Sequence, residues 1–167
     1  MRFRRTFIAT MLTLALLALI VSPVAAAGPE RSKIPAWTVD FPSGTLCEFA
    51  VRWDFPADGT ELVFPVRPNG DQLVRSVGRL RGTITNLDAD RSVTVRGGYR
   101  LDLLFHANGT IDVVGSGTIV AGYFPTDAGG PSMWFFRGRF HDEVDATFTA
   151  TAHSFRGSAT DLCAALS

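Results

Sequence analysis

Lysine is almost missing from this chain: Lys33 stands alone beside fifteen arginines. The codon bias of a GC-rich genome accounts for that ratio, and it marks no site. Cysteine is equally scarce, with Cys47 and Cys163 the only two. Neither belongs to a C-x-x-C pair, and no histidine lies at ligand spacing from either, which excludes the usual structural zinc patterns. His106, His141 and His153 are scattered and match no metal spacing, so no metal is expected. The nucleophile elbow G-x-S-x-G is absent too, because Val114 stands where its first glycine would precede Gly115-Ser116-Gly117. Nothing in the chain calls for a cofactor. After residue 27 no apolar run approaches the roughly 18–20 residues that a spanning helix needs. A convincing helical period is also missing.

What is present begins with "MRFRRTFIATMLTLALLALIVSPVAAAG". Arg2, Arg4 and Arg5 make a basic start, an apolar stretch follows from about Phe7 to Val21, and Ala25-x-Ala27 suits cleavage before Gly28. Residues 1–27 thus read as a secretory signal peptide, and the mature protein as extracellular with no membrane span left. Cleavage removes three arginines and no acid from a total of 16 basic and 16 acidic residues, leaving a net charge of −3. A mildly acidic domain argues against nucleic acid as the main partner. In an exported chain, two isolated cysteines read as one disulfide, tying the first core strand to the C-terminal tail.

Period two dominates the remainder. Residues 28–44 read as a flexible leader with a first short strand, and 45–167 as a single domain. Cys47, Phe49, Val51, Trp53 and Phe55 alternate with Glu48, Arg52 and Asp54. Asn69-Gly70 and Asn108-Gly109 are hairpin signals, since both residue types tolerate positive φ. Long strands are expected over about 72–86, 92–106 and 110–124, then over "SMWFFRGRF" and "EVDATFTATAHSF", and Asp142, Glu143 and Asp145 are expected to cluster in a turn. The tail "ATDLCAALS" reads as a helical turn held by Cys163. About eight strands with short connections predict an all-β fold, either a small antiparallel barrel or a β-sandwich. Glycines inside the strand patterns, Gly97-Gly98, Gly115 and Gly117 among them, mark bulges or sharp bends and favour the barrel.

The stretch "GTITNLDADRSVTVRGGYRLDLLFHANGTIDVVGSGTIV", the later "FRGRF" and the closing "DLCAAL" resemble a group of secreted actinobacterial β-rich proteins without assigned function. The resemblance covers roughly Cys47 to Leu166. It rests on turn and disulfide motifs, so it implies fold and export and carries no catalytic residue.

Two clusters are candidate sites. In "SVTVRGGYRLDLLFH", Val95, Tyr99, Leu101, Leu103 and Phe105 share one parity, while Arg96, Arg100, Asp102 and His106 share the other. The apolar parity is expected in the core, with Arg100 and Asp102 exposed, because burying two arginines and an aspartate requires several satisfied partners. If Arg100, Asp102 and His106 converged inside a barrel instead, they would form a polar site with acid–base capacity. "MWFFRGRF" is apolar on both parities, so either both of its faces are covered or Trp134, Phe135 and Phe136 are exposed for binding, with Tyr99 a further candidate ligand contact. The function expected is a secreted, disulfide-tied, monomeric all-β module that binds an apolar small molecule or an envelope partner without turnover. The alternative is a small barrel cyclase or isomerase acting on a hydrophobic substrate.

Overall fold

A computed structural model describes residues 28–167. The expected signal peptide, residues 1–27, lies outside the described residues. Nine strands make one antiparallel sheet: β1 (Glu30–Lys33), β2 (Trp37–Phe41), β3 (Val51–Phe55), β4 (Gly59–Val63), β5 (Gln72–Asn86), β6 (Arg91–Phe105), β7 (Ile111–Tyr123), β8 (Ser132–Val144) and β9 (Ala150–Asp161). A five-residue helix, α1 (Leu162–Leu166), ends the chain. The paired path runs β1-β4-β5-β6-β7-β8-β9, with β3 on β5 and β2 on β3. The fold is all-β and antiparallel with one disulfide, as the alternation predicts. Its path does not return to β1, so the sheet is open where a closed barrel would pair its ends.

Two expectations are corrected here. Glu30–Lys33, read as flexible leader, pair with Thr60–Val63 and supply the ninth strand. The last turn lies at residues 145–149, where Asp145 Oδ1 accepts from the amides of Thr147 (2.8 Å) and Thr149 (3.0 Å). Asp142 and Glu143 therefore sit inside β8 instead of in that turn.

The β5–β6 hairpin is paired without a bulge from Gln72↔Phe105 to Asn86↔Arg91. Gly97-Gly98 consequently leaves the parity unbroken, and Val93 and Val95 share a face with Tyr99, Leu101 and Leu103. What the glycines do is let the sheet fold over. β6 pairs with β7 only over Tyr99–Phe105, whereas β7 pairs with β8 along its whole length. The strands part at Gly98 and Gly117. Gly117 has φ +91°, and a Cβ there would strike the Gly98 carbonyl; a Cβ on Gly97 would strike the Thr118 side chain. Only bare backbones can cross this closely.

Beyond that corner the second half of β7 and the first half of β8 pack against β5 and β6. Val51, Ile84, Val95 and Met133 are sealed between them, with Val120 and Phe135 at the margin. The tail closes this core. Cys47 and Cys163 are bonded, with Cα atoms 5.5 Å apart. Asp161 caps α1 by accepting from the Ala164 amide at 3.0 Å, and buried Asn86 donates to the Leu166 carbonyl at 3.0 Å. Leu162 and Leu166 are thereby held in the core. On the opposite face of β8, Phe136 packs with Tyr123 and Ala150, flanked by Trp134 and Phe155. Both faces of "MWFFRGRF" are thus covered, which explains why it is apolar on both parities.

Candidate functional site

The edge of β5 is shared end to end by two short strands. β4 pairs with Val74–Gly78 and β3 with Thr83–Asn86. Arg79–Gly82 lie in the gap, bridged by the 56–58 segment, where the Asp58 carbonyl accepts from the Arg79 amide at 3.0 Å. Behind the gap, inside the corner, is a cavity of about 170 Å³. Trp37, Phe55, Leu80, Tyr99, Leu101 and Ile119 give it apolar walls. Trp37 stacks on Phe55 at 4.8 Å between centroids, and stays 41% exposed at the mouth. The corner glycines shape the space: at Gly59 a Cβ would stand 2.7 Å from the Tyr99 hydroxyl, so only glycine lets that ring lie against β4. Burial, helped by the negative charge of Asp58, pushes the Tyr99 hydroxyl above its ordinary pKa. It remains a neutral donor across the physiological range. A cavity of about 150 Å³ suffices for benzene in an apolar protein interior, so this one has the room of a single ring or a short branched chain.

The candidate polar residues lie elsewhere. Arg75 and Arg100 both clamp Asp102: Arg75 donates from Nε and Nη2 at 2.7 and 2.9 Å, and Arg100 at 3.1 and 2.6 Å. The Arg75 hydrogen bonds, reinforced by Arg100, hold Asp102 down to a pKa of about 2. Arg100 is exposed as expected, but Asp102 is not: the two guanidinium groups leave its side chain 18% exposed. Leu101 and Leu103 are half-buried, less covered than the alternation predicts. His106 does not meet Asp102. Its Nε2 lies 2.9 Å from Asp112, which His141 also reaches at 3.2 Å. The Asp112 hydrogen bond raises the pKa of His106 and lowers that of Asp112. These groups make two ion-pair clusters on the outer face of the sheet, away from the cavity.

Of the four aromatic candidates, Tyr99 lines the cavity. Met133 and Phe135 face the disulfide-capped core, and Trp134 and Phe136 the second core. Ile34, Trp37 and Phe55 were not foreseen as a site, because they come from the supposed leader and a distant strand. Also unforeseen is a buried pair in β7 and β8. The Tyr123 hydroxyl donates to Asp142 at 3.2 and 3.1 Å, and Asp142 is 7% exposed. Burial pushes both groups above their ordinary pKa values. The parity of Phe136 and Phe140 signals this position once β8 is carried through to Val144. Among the described residues no group of His, Cys, Asp and Glu is arranged to hold a metal ion, and no helix is long and apolar enough to cross a membrane. Comparisons with protein-family models, curated proteins and solved structures return no match, so the functional reading rests on this geometry.

Proposed function

We propose that this protein is a secreted, non-enzymatic binding module that holds an apolar small molecule in the corner cavity. The observation that carries the reading is the aromatic and aliphatic lining around Trp37, Phe55, Tyr99 and Leu101. Apolar walls with a few polar groups at the rim are the general character of small-molecule sites. Arg100, Asp102 and His106, which an acid–base mechanism in the lumen would need, lie on the outer face and are engaged in ion pairs. That favours binding over turnover. Export is supported by the n-region, h-region and Ala25-x-Ala27 pattern, and by a bonded cysteine pair that suits an oxidising compartment. The resemblance of the turn and closing motifs to a secreted actinobacterial group also favours export.

Calorimetric titration with 4-phenylbutan-1-ol, a neutral ring probe, tests the binding reading. Saturable binding is expected for the wild type, with loss on Leu101→Trp, which fills the cavity from a half-buried position. Absence of binding to the wild type, or equal binding to the filled variant, overturns it. Intact mass of the exported protein tests secretion: a chain beginning at Gly28, within about two residues, is expected, and retention of residues 1–27 contradicts export.

A further inference from the structure

On the outer side of the same gap in the β5 edge, Arg79, Arg81 and Arg96 line an open groove. Its floor carries almost no side chains, being made largely of Gly82, Gly97 and Gly98. Arg81 stands directly opposite Arg96 across β5 and β6, and Arg79 opposite Gly98. Like charges directly opposite each other destabilise a sheet. On β3, β5 and β6 the other arginines of this face are neutralised: Arg75 and Arg100 share Asp102, and Arg52 is bidentate to Asp40. Farther off, Arg139 and Arg156 stand opposite each other on β8 and β9, with no carboxylate within 4.0 Å among the described residues. Here compensation is thin. Asp58 is 3.6 Å from Arg81, with both side chains substantially exposed, and such pairs contribute little. Asp54 lines the groove and keeps its charge while accepting from the Thr38 hydroxyl at 3.1 Å, so one carboxylate faces three arginines there. Among the described residues neither Arg79 nor Arg96 has a carboxylate within 4.0 Å.

The groove and the apolar cavity are neighbours. Pro56, Arg79, Leu80 and Arg81 line both. One lies on each side of β5, and they adjoin at the stretch of its edge that the 56–58 segment spans between β3 and β4. We infer that the ligand is a small amphipathic carboxylate, whose single ring or short chain fills the cavity and whose head is held by Arg79, Arg81 and Arg96. This inference rests on the binding reading above and specifies its ligand class. Guanidinium groups match a planar carboxylate with paired, charge-assisted hydrogen bonds, and the Thr83 and Thr94 side chains border the same groove. An anion there also relieves the Arg81–Arg96 repulsion, a gain that a neutral ligand cannot supply.

Paired calorimetric titrations with 4-phenylbutyrate and 4-phenylbutan-1-ol test the inference, since the two probes share ring and chain and differ in the head. The wild type is expected to bind the carboxylate at least about tenfold more tightly than the alcohol, and that advantage should shrink as salt rises. In the variant Arg96→Gln, at a position that lines the groove and not the cavity, the advantage should fall markedly while the affinity for the alcohol is unchanged. Arg96 is exposed and the change removes one member of a like-charged pair, so folding is retained; thermal melts verify it. Equal affinity of the wild type for the two probes, or an advantage that survives undiminished in Arg96→Gln, overturns the carboxylate inference and leaves the cavity reading intact. If neither probe binds the wild type, both readings fail.

Discussion

Asp102 of β6 accepts both hydrogen bonds of the Arg75 fork, at 2.7 and 2.9 Å, from the residue directly opposite it in β5. Arg100, two residues before Asp102 on its own strand, approaches the same oxygens. A carboxylate shared by two guanidinium groups and only 18% exposed is more than an ordinary surface charge. Its pKa falls from 3.8 to about 2, so its contribution is present above the ordinary carboxylate value and disappears as pH falls through about 2. Asp102→Asn should therefore cost about 2 kcal/mol at neutral pH. Denaturant titrations at neutral pH and near pH 2 check this: the gap between variant and wild type should close in acid.

Asp142 titrates in the opposite sense. Burial lifts its folded pKa above 3.8, so the protonated form is favoured in the native state. Its contribution is full below the unfolded value and is lost as pH rises through the elevated one. Asp142→Asn keeps an acceptor for the Tyr123 hydroxyl and cannot ionise. It should stabilise the protein at pH 7, and the gain should shrink toward pH 4. Thermal melts across that range report it.

The disulfide spans a sequence separation of 116 and pins α1 over the core. In the chain-entropy account, opening a loop of this size costs about 4–5 kcal/mol. Cys163→Ser should lower the unfolding free energy by that order and loosen Leu162 and Leu166. Labelling of the unreduced, denatured wild type should find no free thiol.

Gly117 has the conformation and the close backbone contact that glycine alone accommodates. Gly117→Ala should cost about 2–4 kcal/mol, because it adds left-handed strain to a collision with the Gly98 carbonyl. The neighbouring exposed change Ser158→Ala is the control, expected to be near neutral in the same denaturation assay.

These positions also show how much of the molecule could be read from its sequence. Alternation fixes which side of β6 carries Val95 and which carries Arg96, and Asn69-Gly70 and Asn108-Gly109 mark their hairpins because φ there is positive at Gly70 and Gly109. The disulfide follows from two isolated cysteines together with the signal-peptide pattern expected in residues 1–27. The cavity does not follow, because it depends on a fold-over. Period two says that Thr118 and Val120 share a face, but only the close crossing at Gly98 and Gly117 turns that face toward β5. Trp37 and Phe55 then meet Tyr99 and Leu101 from far along the chain. Asp102 was expected in water because pairing with Arg75 depends on register, which alternation alone does not specify. Asp142 was hidden by misplacing the last turn.

Backbone amide NMR of residues 28–167 during titration with toluene tests the central claim most directly, since toluene has no polar head and reports the cavity alone. The account predicts saturable shifts concentrated at Gly59, Leu80, Tyr99, Leu101 and residues 118–120, with Met133 and Leu166 unmoved in the sealed core. Absence of saturable shifts at the corner, or shifts centred instead on the disulfide-capped core, would contradict it.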